Sequence, residues 1–270
     1  MSSQKIRVCV AGIAGNMGKE TAKTILESED LELVSGIGQK SAGKKIQEIL
    51  PDTKMELTIA SDLIIELNSK QIDVLIDFTH GEIAGQNALD AINQGVSPVI
   101  GASGIRDELI GEIRALSLSK GVPSMLVPNF AIGAVLMMKF SEIAAEWLPD
   151  VEIIEMHRAE KPDSPSGTAI KTAKLIGAKR NSSKNTANKE NTSVKGVRGG
   201  SIDEVPVHSI RVKGILARQQ VLFGAEGETL NIEHNSLHRS SFMEGVKLAI
   251  REVRNLNGFT YGLDKILFKK

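Results

Sequence analysis

The first 130 residues alternate two kinds of segment, and that alternation restricts the fold more than any other feature of the chain. Continuous apolar runs at 6–11, 31–37, 72–78, 97–100 and 122–127 read as strands. Between them, apolar residues at helical spacing cover 17–27, 62–68, 83–93 and 107–119. Strands that are apolar at every position have to be covered on both faces, as in a parallel sheet flanked by helices. The expected class is α/β: an N-terminal Rossmann-type doubly wound parallel sheet with a smaller C-terminal mixed α/β domain.

The pattern changes after Phe130. A helix is expected over 132–147, then a strand from Val151, a loop rich in cations and a helix starting at Ser166. Residues 178–196 are crowded with Lys, Asn, Ser and Thr and read as an exposed, mobile loop. Extended segments at 205–212, 217–223 and 229–235, separated by glycine-bearing turns, predict a second sheet that is antiparallel or mixed. A last helix is expected over 242–255.

Composition excludes several function classes. The 33 basic residues balance 33 acidic ones, so no global field draws nucleic acid or an anionic membrane. Aromatic residues make up 3% of the chain, too few for base-stacking platforms. No apolar run reaches membrane-spanning length, and the first five residues lead into a strand rather than a signal peptide. The one cysteine, Cys9, lies inside the first strand and reads as a buried, inert thiol. A reducing cytoplasm is the expected setting.

Two places carry chemistry. The first is the turn Gly12-Ile-Ala-Gly-Asn-Met-Gly18, between the first strand and the first helix. A pyrophosphate needs a tight turn there, bare backbone and close helix–sheet packing, which glycines supply. Where the second strand ends, NAD-specific sites offer a carboxylate to the ribose; here the chain reads Gly38-Gln-Lys-Ser-Ala-Gly-Lys-Lys45, with no acid. Lys40 and Ser41 could instead bind a 2′-phosphate, so NADPH is the expected cofactor, with NADH possible. Asp77-Phe-Thr-His80, Gly101-Ala-Ser-Gly104 and Pro128-Asn-Phe130 close later strands, at the edge where open parallel sheets bind ligands. His80 is an acid or base by type only, and a loop role is the simpler reading.

The second place is the run Glu155-Met-His-Arg-Ala-Glu-Lys-Pro-Asp-Ser-Pro-Ser-Gly-Thr-Ala169. It joins an imidazole, a guanidinium and an ammonium to a helix start, where unpaired N–H groups and the helix dipole favour a small anion. One at a time these cations read as solvated loop residues; their joint placement before Ser166-Gly-Thr168 reads as a site. His208, His234 and His238 lack ligand spacing, so no metal is expected. Met125, Met137, Met138 and Met156 read as core filler.

These residues together resemble the 4-hydroxy-tetrahydrodipicolinate reductase (dihydrodipicolinate reductase) family. The glycine turn, Asp77-Phe-Thr79, Gly101-Ala-Ser-Gly104, Asn129-Phe130, the 155–169 run and Phe223-Gly-Ala-Glu-Gly227 all carry the resemblance, and Lys161-x-Asp163-x-Pro165-Ser-Gly-Thr-Ala169 carries most of it. It implies a dinucleotide-binding domain over 1–130 and 240–270, and a substrate-binding and oligomerisation domain over 131–239. It also implies a homotetramer and the NAD(P)H-dependent reduction, with loss of water, of a cyclic imine dicarboxylate in lysine and diaminopimelate biosynthesis.

Carried over by residue, the resemblance makes His157 the general acid and Lys161 the substrate cation and a second candidate donor. Arg158, Ser166, Gly167 and Thr168 fall at substrate-binding positions. In the turn, Gly12, Ala14, Gly15, Asn16, Met17 and Gly18 fall at cofactor positions, with Lys40 beyond the second strand. Phe78, Thr79, Gly101, Ala102, Ser103, Asn129 and Phe130 fall around the nicotinamide. The chain departs from the family at Arg158, where a second histidine is usual, and at Asn16, where arginine is frequent. Ala102-Ser103 stands for a common threonine pair. A guanidinium cannot release a proton, so position 158 has no acid role here. Two other readings are a nucleotide-sensing paralogue without turnover, and a reductase of a different small dicarboxylate imine.

Overall fold

The first strand, β1 (Ile6–Ala11), is sealed on both faces: Val8, Cys9, Val10 and Ala11 have no exposed surface. The computed structural model describes residues 4–180 and 193–269. From β1 the chain runs through α1 (Asn16–Leu26), β2 (Leu31–Ile37), α2 (Leu63–Ser69), β3 (Val74–Asp77), α3 (Gly81–Asn93), β4 (Ser97–Ile100), α4 (Asp107–Lys120) and β5 (Ser124–Leu126). A second set of elements follows: α5 (Ile132–Ala144), β6 (Asp150–His157), α6 (Gly167–Gly177), β7 (Gly200–Ile202), β8 (Val205–Arg211), β9 (Ala217–Ala225) and β10 (Glu228–Ser236). The chain closes with α7 (Met243–Glu252), β11 (Phe259–Tyr261) and α8 (Asp264–Leu267). It divides into two compact units, with boundaries between Phe130 and Ala131 and between Ser241 and Phe242.

In the first unit six strands form one sheet in the order β2-β1-β3-β4-β5-β11, with every pairing parallel. The chain steps outward from β1 to β2, then returns as β3 on the other side. Reversals of this kind leave a crevice beyond the carboxyl ends of the strands, where ligands bind in open α/β sheets. Leu63 and Leu67 of α2 and Ala91 of α3 pack on Cys9 and Leu75, while Leu109 and Ile113 of α4 join Ile100 and Leu126. On α1 and α7, which pack together, Ala22, Ile25, Val246, Ala249 and Ile250 are buried. Each large apolar side chain removed from water contributes about 1.5–3 kcal/mol. Burial pushes the Cys9 thiol up to about 12, so no thiolate forms near neutrality.

The second unit is a five-stranded mixed sheet in the order β10-β9-β6-β8-β7. β6 pairs parallel with β8 and antiparallel with β9, and β9 turns through Glu226-Gly227 into β10. Alternation along β6 sends Val151, Ile153 and Glu155 to the buried side, which α5 and α6 cover. The other side presents Ile154 and Met156, with Ile210 and Leu222 exposed.

Several expectations shift. The helix expected over 132–147 ends at Ala144, and Trp147 follows in a turn, largely exposed. Met125, Met137 and Met138 are core residues, but Met156 is only half-buried, on the side of its sheet opposite α5 and α6. β7 and β11 had no visible signal because three residues are too few to show a period. The expected mobile loop at 178–196 lies for the most part outside the described residues. His208 bonds Glu152 at 2.8 Å, and His234 packs so closely on α5 that a Cβ at Gly133 would come within 2.6 Å of its ring.

Candidate active site

In the second unit the chemistry gathers where β6 ends. Residues 155 and 157 are two apart on a strand, so their side chains share a face. Glu155 has no exposed surface, and its Oε2 lies 2.6 Å from Nδ1 of His157. Burial pushes the Glu155 carboxyl up, but hydrogen bonds from His157, Arg211 and Ser209 outweigh it and hold the group at about 2. A carboxylate can only accept, so Nδ1 carries a proton, and Nε2 is the ring nitrogen left for chemistry.

Arg211 ends β8 in register with His157. Its Nη2 donates to Oε1 of Glu155 at 2.8 Å and to the backbone carbonyl of Asp163 at 2.7 Å. One guanidinium therefore ties the strand carboxylate to the loop that carries Lys161. In that loop the Lys161 ammonium donates to both oxygens of Asp163, at 2.6 and 2.8 Å. The ammonium beside it holds the Asp163 carboxyl below the usual range. Arg158 is exposed where the loop begins.

Helix α6 starts as its sequence demands. Ser166 caps it, and the Ser166 hydroxyl accepts from the Ala169 N–H at 3.2 Å. Gly167 is exposed, and among the described residues beyond its own helix backbone and chain neighbours nothing lies within 4 Å of where a Cβ would sit. The packing of the chain itself does not require glycine there; the open space at a positive helix end suits an approaching carboxylate. Behind it, Gln219 donates to Thr172 at 2.8 Å, and Thr172 donates to the carbonyl of Thr168 at 2.8 Å, bracing the first turn.

In the first unit the glycine turn is built for close approach. Gly12 has φ +75°, and a Cβ there would meet the backbone of Phe78 at 3.0 Å. A Cβ on Gly18 would lie 2.1 Å from the Gly12 carbonyl oxygen, so only glycine lets α1 pack against the turn. Gly15 caps α1 without a side-chain hydrogen bond, and the first turn holds no acidic residue. Uncapped N–H groups with no competing anion fit a pyrophosphate. Ala14, Asn16 and Met17 lie in the same turn, between Gly12 and Gly18.

At the end of β2, Lys40 is exposed. Ser41 departs from expectation: it is buried, and its hydroxyl donates to the Gly38 carbonyl at 3.3 Å rather than facing a ligand. At the end of β3, buried Asp77 accepts from the Thr79 N–H at 2.7 Å, the Thr79 hydroxyl at 2.6 Å and Asn87 at 2.7 Å. The Thr79 hydroxyl is thus committed to its own loop. Phe78 and Phe130 meet edge to face, 5.7 Å apart. A Cβ at Gly101 would lie 2.5 Å from Phe78 and 2.8 Å from Phe130, so Gly101 makes room for the pair. The Ala102 side chain belongs to the core and Phe130 is buried, whereas Ser103 is exposed and Asn129 half-buried.

Among the described residues no group of three or more His, Cys, Asp or Glu could hold a metal ion, and no helix is long and apolar enough to cross a membrane. Sequence reasoning assigned no role to Glu155, Asp77, Arg211 or Gln219. For Glu155 a signal existed, since it sits two residues before His157 on an expected strand. Arg211 and Gln219 offered none, because strand neighbours are not written in the chain order.

Sequence profiles of dihydrodipicolinate reductase match both parts of the chain, the N-terminal one over residues 6–130 and the C-terminal one over residues 133–267. The 4-hydroxy-tetrahydrodipicolinate reductase of Bacillus pumilus is 42% identical over 99% of this chain and 100% of its own length. That of Halalkalibacterium halodurans is 44% identical over 97% and 99%. Among solved structures, dipicolinate-bound dihydrodipicolinate reductase from Paenisporosarcina sp. TG-14 has a TM-score of 0.87 and 38% identity, covering 97% of this chain and 100% of that one. With an uncapped glycine turn on a parallel sheet and a carboxylate-backed histidine before a capped helix, the chain belongs to the dihydrodipicolinate reductase family, a family of nicotinamide-dinucleotide-dependent reductases.

Proposed function

We propose that the protein reduces 4-hydroxy-tetrahydrodipicolinate to tetrahydrodipicolinate, with loss of water, in lysine and diaminopimelate biosynthesis. The observation that carries this reading is the β6–α6 connection, which holds His157 against a buried carboxylate, then Lys161, then an open helix start at Gly167. Dipicolinate, the ligand named for the Paenisporosarcina relative, is a planar ring dicarboxylate of the kind such a site would accept.

The reduced nicotinamide, when bound, supplies the hydride. NADPH is the proposed source, with NADH also usable, because no acid stands at the end of β2 to repel a 2′-phosphate and Lys40 is exposed there. The turn residues Gly12, Gly15, Asn16 and Gly18 would hold the pyrophosphate. Phe78, Gly101, Ser103 and Asn129 would flank the nicotinamide.

The remaining chemistry falls to side chains of the second unit. His157 releases the proton on Nε2 to the substrate skeleton, while Nδ1 stays on Glu155. Lys161 balances the negative charge of one substrate carboxylate. Ser166 sets the start of α6, where Gly167 and Thr168 receive a carboxylate through backbone N–H groups and the threonine hydroxyl. Arg158 can hold a carboxylate bidentately but cannot supply a proton.

The proposed assembly is a homotetramer working in the cytoplasm. The side of the second sheet opposite α5 and α6 supports it, since Ile210 and Leu222 stand exposed beside Ile154 and Met156 among the described residues. Sedimentation should give the tetramer mass, and Ile210→Lys should reduce it.

The activity is tested with purified protein and the preceding synthase. NADPH oxidation is expected only when aspartate semialdehyde, pyruvate and synthase are all present. Tight nucleotide binding with no oxidation of either cofactor would overturn the proposal in favour of a sensor.

A further inference from the structure

Nothing in the proposed chemistry requires the carboxylate behind His157, yet the chain buries one completely. Glu155 has no exposed surface on the covered side of β6, where a carboxylate without partners is strongly disfavoured. Both of its oxygens are committed in different directions: Oε2 to Nδ1 of His157 and Oε1 to Arg211. Arg211 in turn is half-buried, and its buried Nε has no hydrogen-bond partner among the described residues. Its Nη1 donates to the Ile210 carbonyl, and its Nη2 also reaches the carbonyl of Asp163, whose side chain grips Lys161. The chain of contacts therefore runs His157–Glu155–Arg211–Asp163–Lys161, entirely within the second unit.

We propose that Glu155 is a positioning residue that sets His157 to donate through Nε2, and that Arg211 locks this pair to the Lys161 loop so that the acid and the substrate cation are placed as one unit. This rests on the reading of His157 as the proton donor. An imidazole with an anion on Nδ1 has one tautomer and one ring orientation; without it the ring can turn and present either nitrogen. Donation from Nε2 takes place from the doubly protonated ring, whose Nδ1–H stays on Glu155.

The test is a cycle of Glu155→Gln, His157→Asn and the double variant, with kcat and KM measured for each. Glu155→Gln should lower kcat roughly 10²-fold while leaving KM for the dinucleotide unchanged. In the His157→Asn background the same change should alter kcat less than about threefold, because a positioning residue has nothing left to position. Effects that multiply would overturn the proposal, since Glu155 would then act apart from His157. If His157→Asn alone leaves kcat unchanged, the reading of His157 as the acid fails instead. Should Glu155→Gln not fold, Glu155→Gln/Arg211→Met removes the charge pair together and completes the same cycle. For the second half, Glu155→Gln/Arg211→Met should raise KM for the dicarboxylate about tenfold over Glu155→Gln alone, because the Nη2 that reaches the Asp163 carbonyl is gone. An unchanged KM would break the proposed link to Lys161.

Discussion

Nζ of Lys161 lies 2.6 Å from Oδ1 and 2.8 Å from Oδ2 of Asp163, so the only ammonium in the 155–169 run is already paired. A substrate carboxylate has to share Lys161 with Asp163 or displace it. Asp163 is more than half exposed at its side chain, and an exposed pair contributes about 0–1 kcal/mol, so sharing costs little. Lys161→Ala should therefore lower kcat/KM about 10²-fold or more while leaving the thermal midpoint nearly unchanged. Steady-state assays with a melting curve check both halves; an unaltered rate removes Lys161 from the mechanism.

Gly167→Ala separates ligand space from folding. Among the described residues no neighbouring element lies within 4 Å of the added carbon, and the position is the first residue of α6. Alanine there should leave stability unchanged or raise it by up to about 1 kcal/mol. The methyl group would occupy the space proposed for a substrate carboxylate, so KM for the dicarboxylate should rise about tenfold. Urea unfolding and a substrate titration measure the two; a normal KM would place the carboxylate elsewhere.

Cofactor choice should hinge on Lys40. It is exposed beyond β2, where Ser41 is turned inward. Lys40→Glu should weaken NADPH about tenfold or more and leave NADH within about threefold, because an acid repels a 2′-phosphate but accepts ribose hydroxyls. Fluorescence titration of both nucleotides checks this, and equal losses would count against a role in discrimination.

Acid sensitivity should follow Glu155. Its carboxyl is held near 2 in the folded protein, against a reference of 4.5, so the group binds fewer protons when folded. The stability it contributes is fully present above pH about 4.5 and is lost as pH falls towards about 2. That shift corresponds to roughly 3 kcal/mol. The stability difference between wild type and Glu155→Gln, taken from urea unfolding, should be constant from pH 7 to 5 and shrink below that. A difference independent of pH would mean the carboxylate is not held ionised.

Much of the first unit is legible in the sequence. β1, β2 and β4 fall on the apolar runs read from the chain, and α1, α3 and α4 agree within two residues at each end. The turn at Gly12 was legible for the same reason, since Gly12 at φ +75° and Gly18 against its carbonyl leave little choice of residue. β11 was not, because three residues with no period join the sheet only through β5. At the site, His157, Lys161 and the α6 cap could be read as neighbours in one loop. That the Ser41 hydroxyl turns back to Gly38 could not be read from its polar type.

The amino-acid order by itself determined the parallel sheet, the nucleotide turn and the cation-bearing loop, because period, turn chemistry and capping are properties of residues close together in the chain. What stands behind the site was decided only by tertiary structure. Arg211 meets Glu155 across 56 residues through strand pairing, and Gln219 of β9 meets Thr172 of α6 across 47 through the packing of helix on sheet. Strand order and register depend on the burial of whole faces, which no local pattern encodes. A histidine at position 157 could be seen in the chain; its tautomer, its buried carboxylate and its tie to Lys161 required the fold.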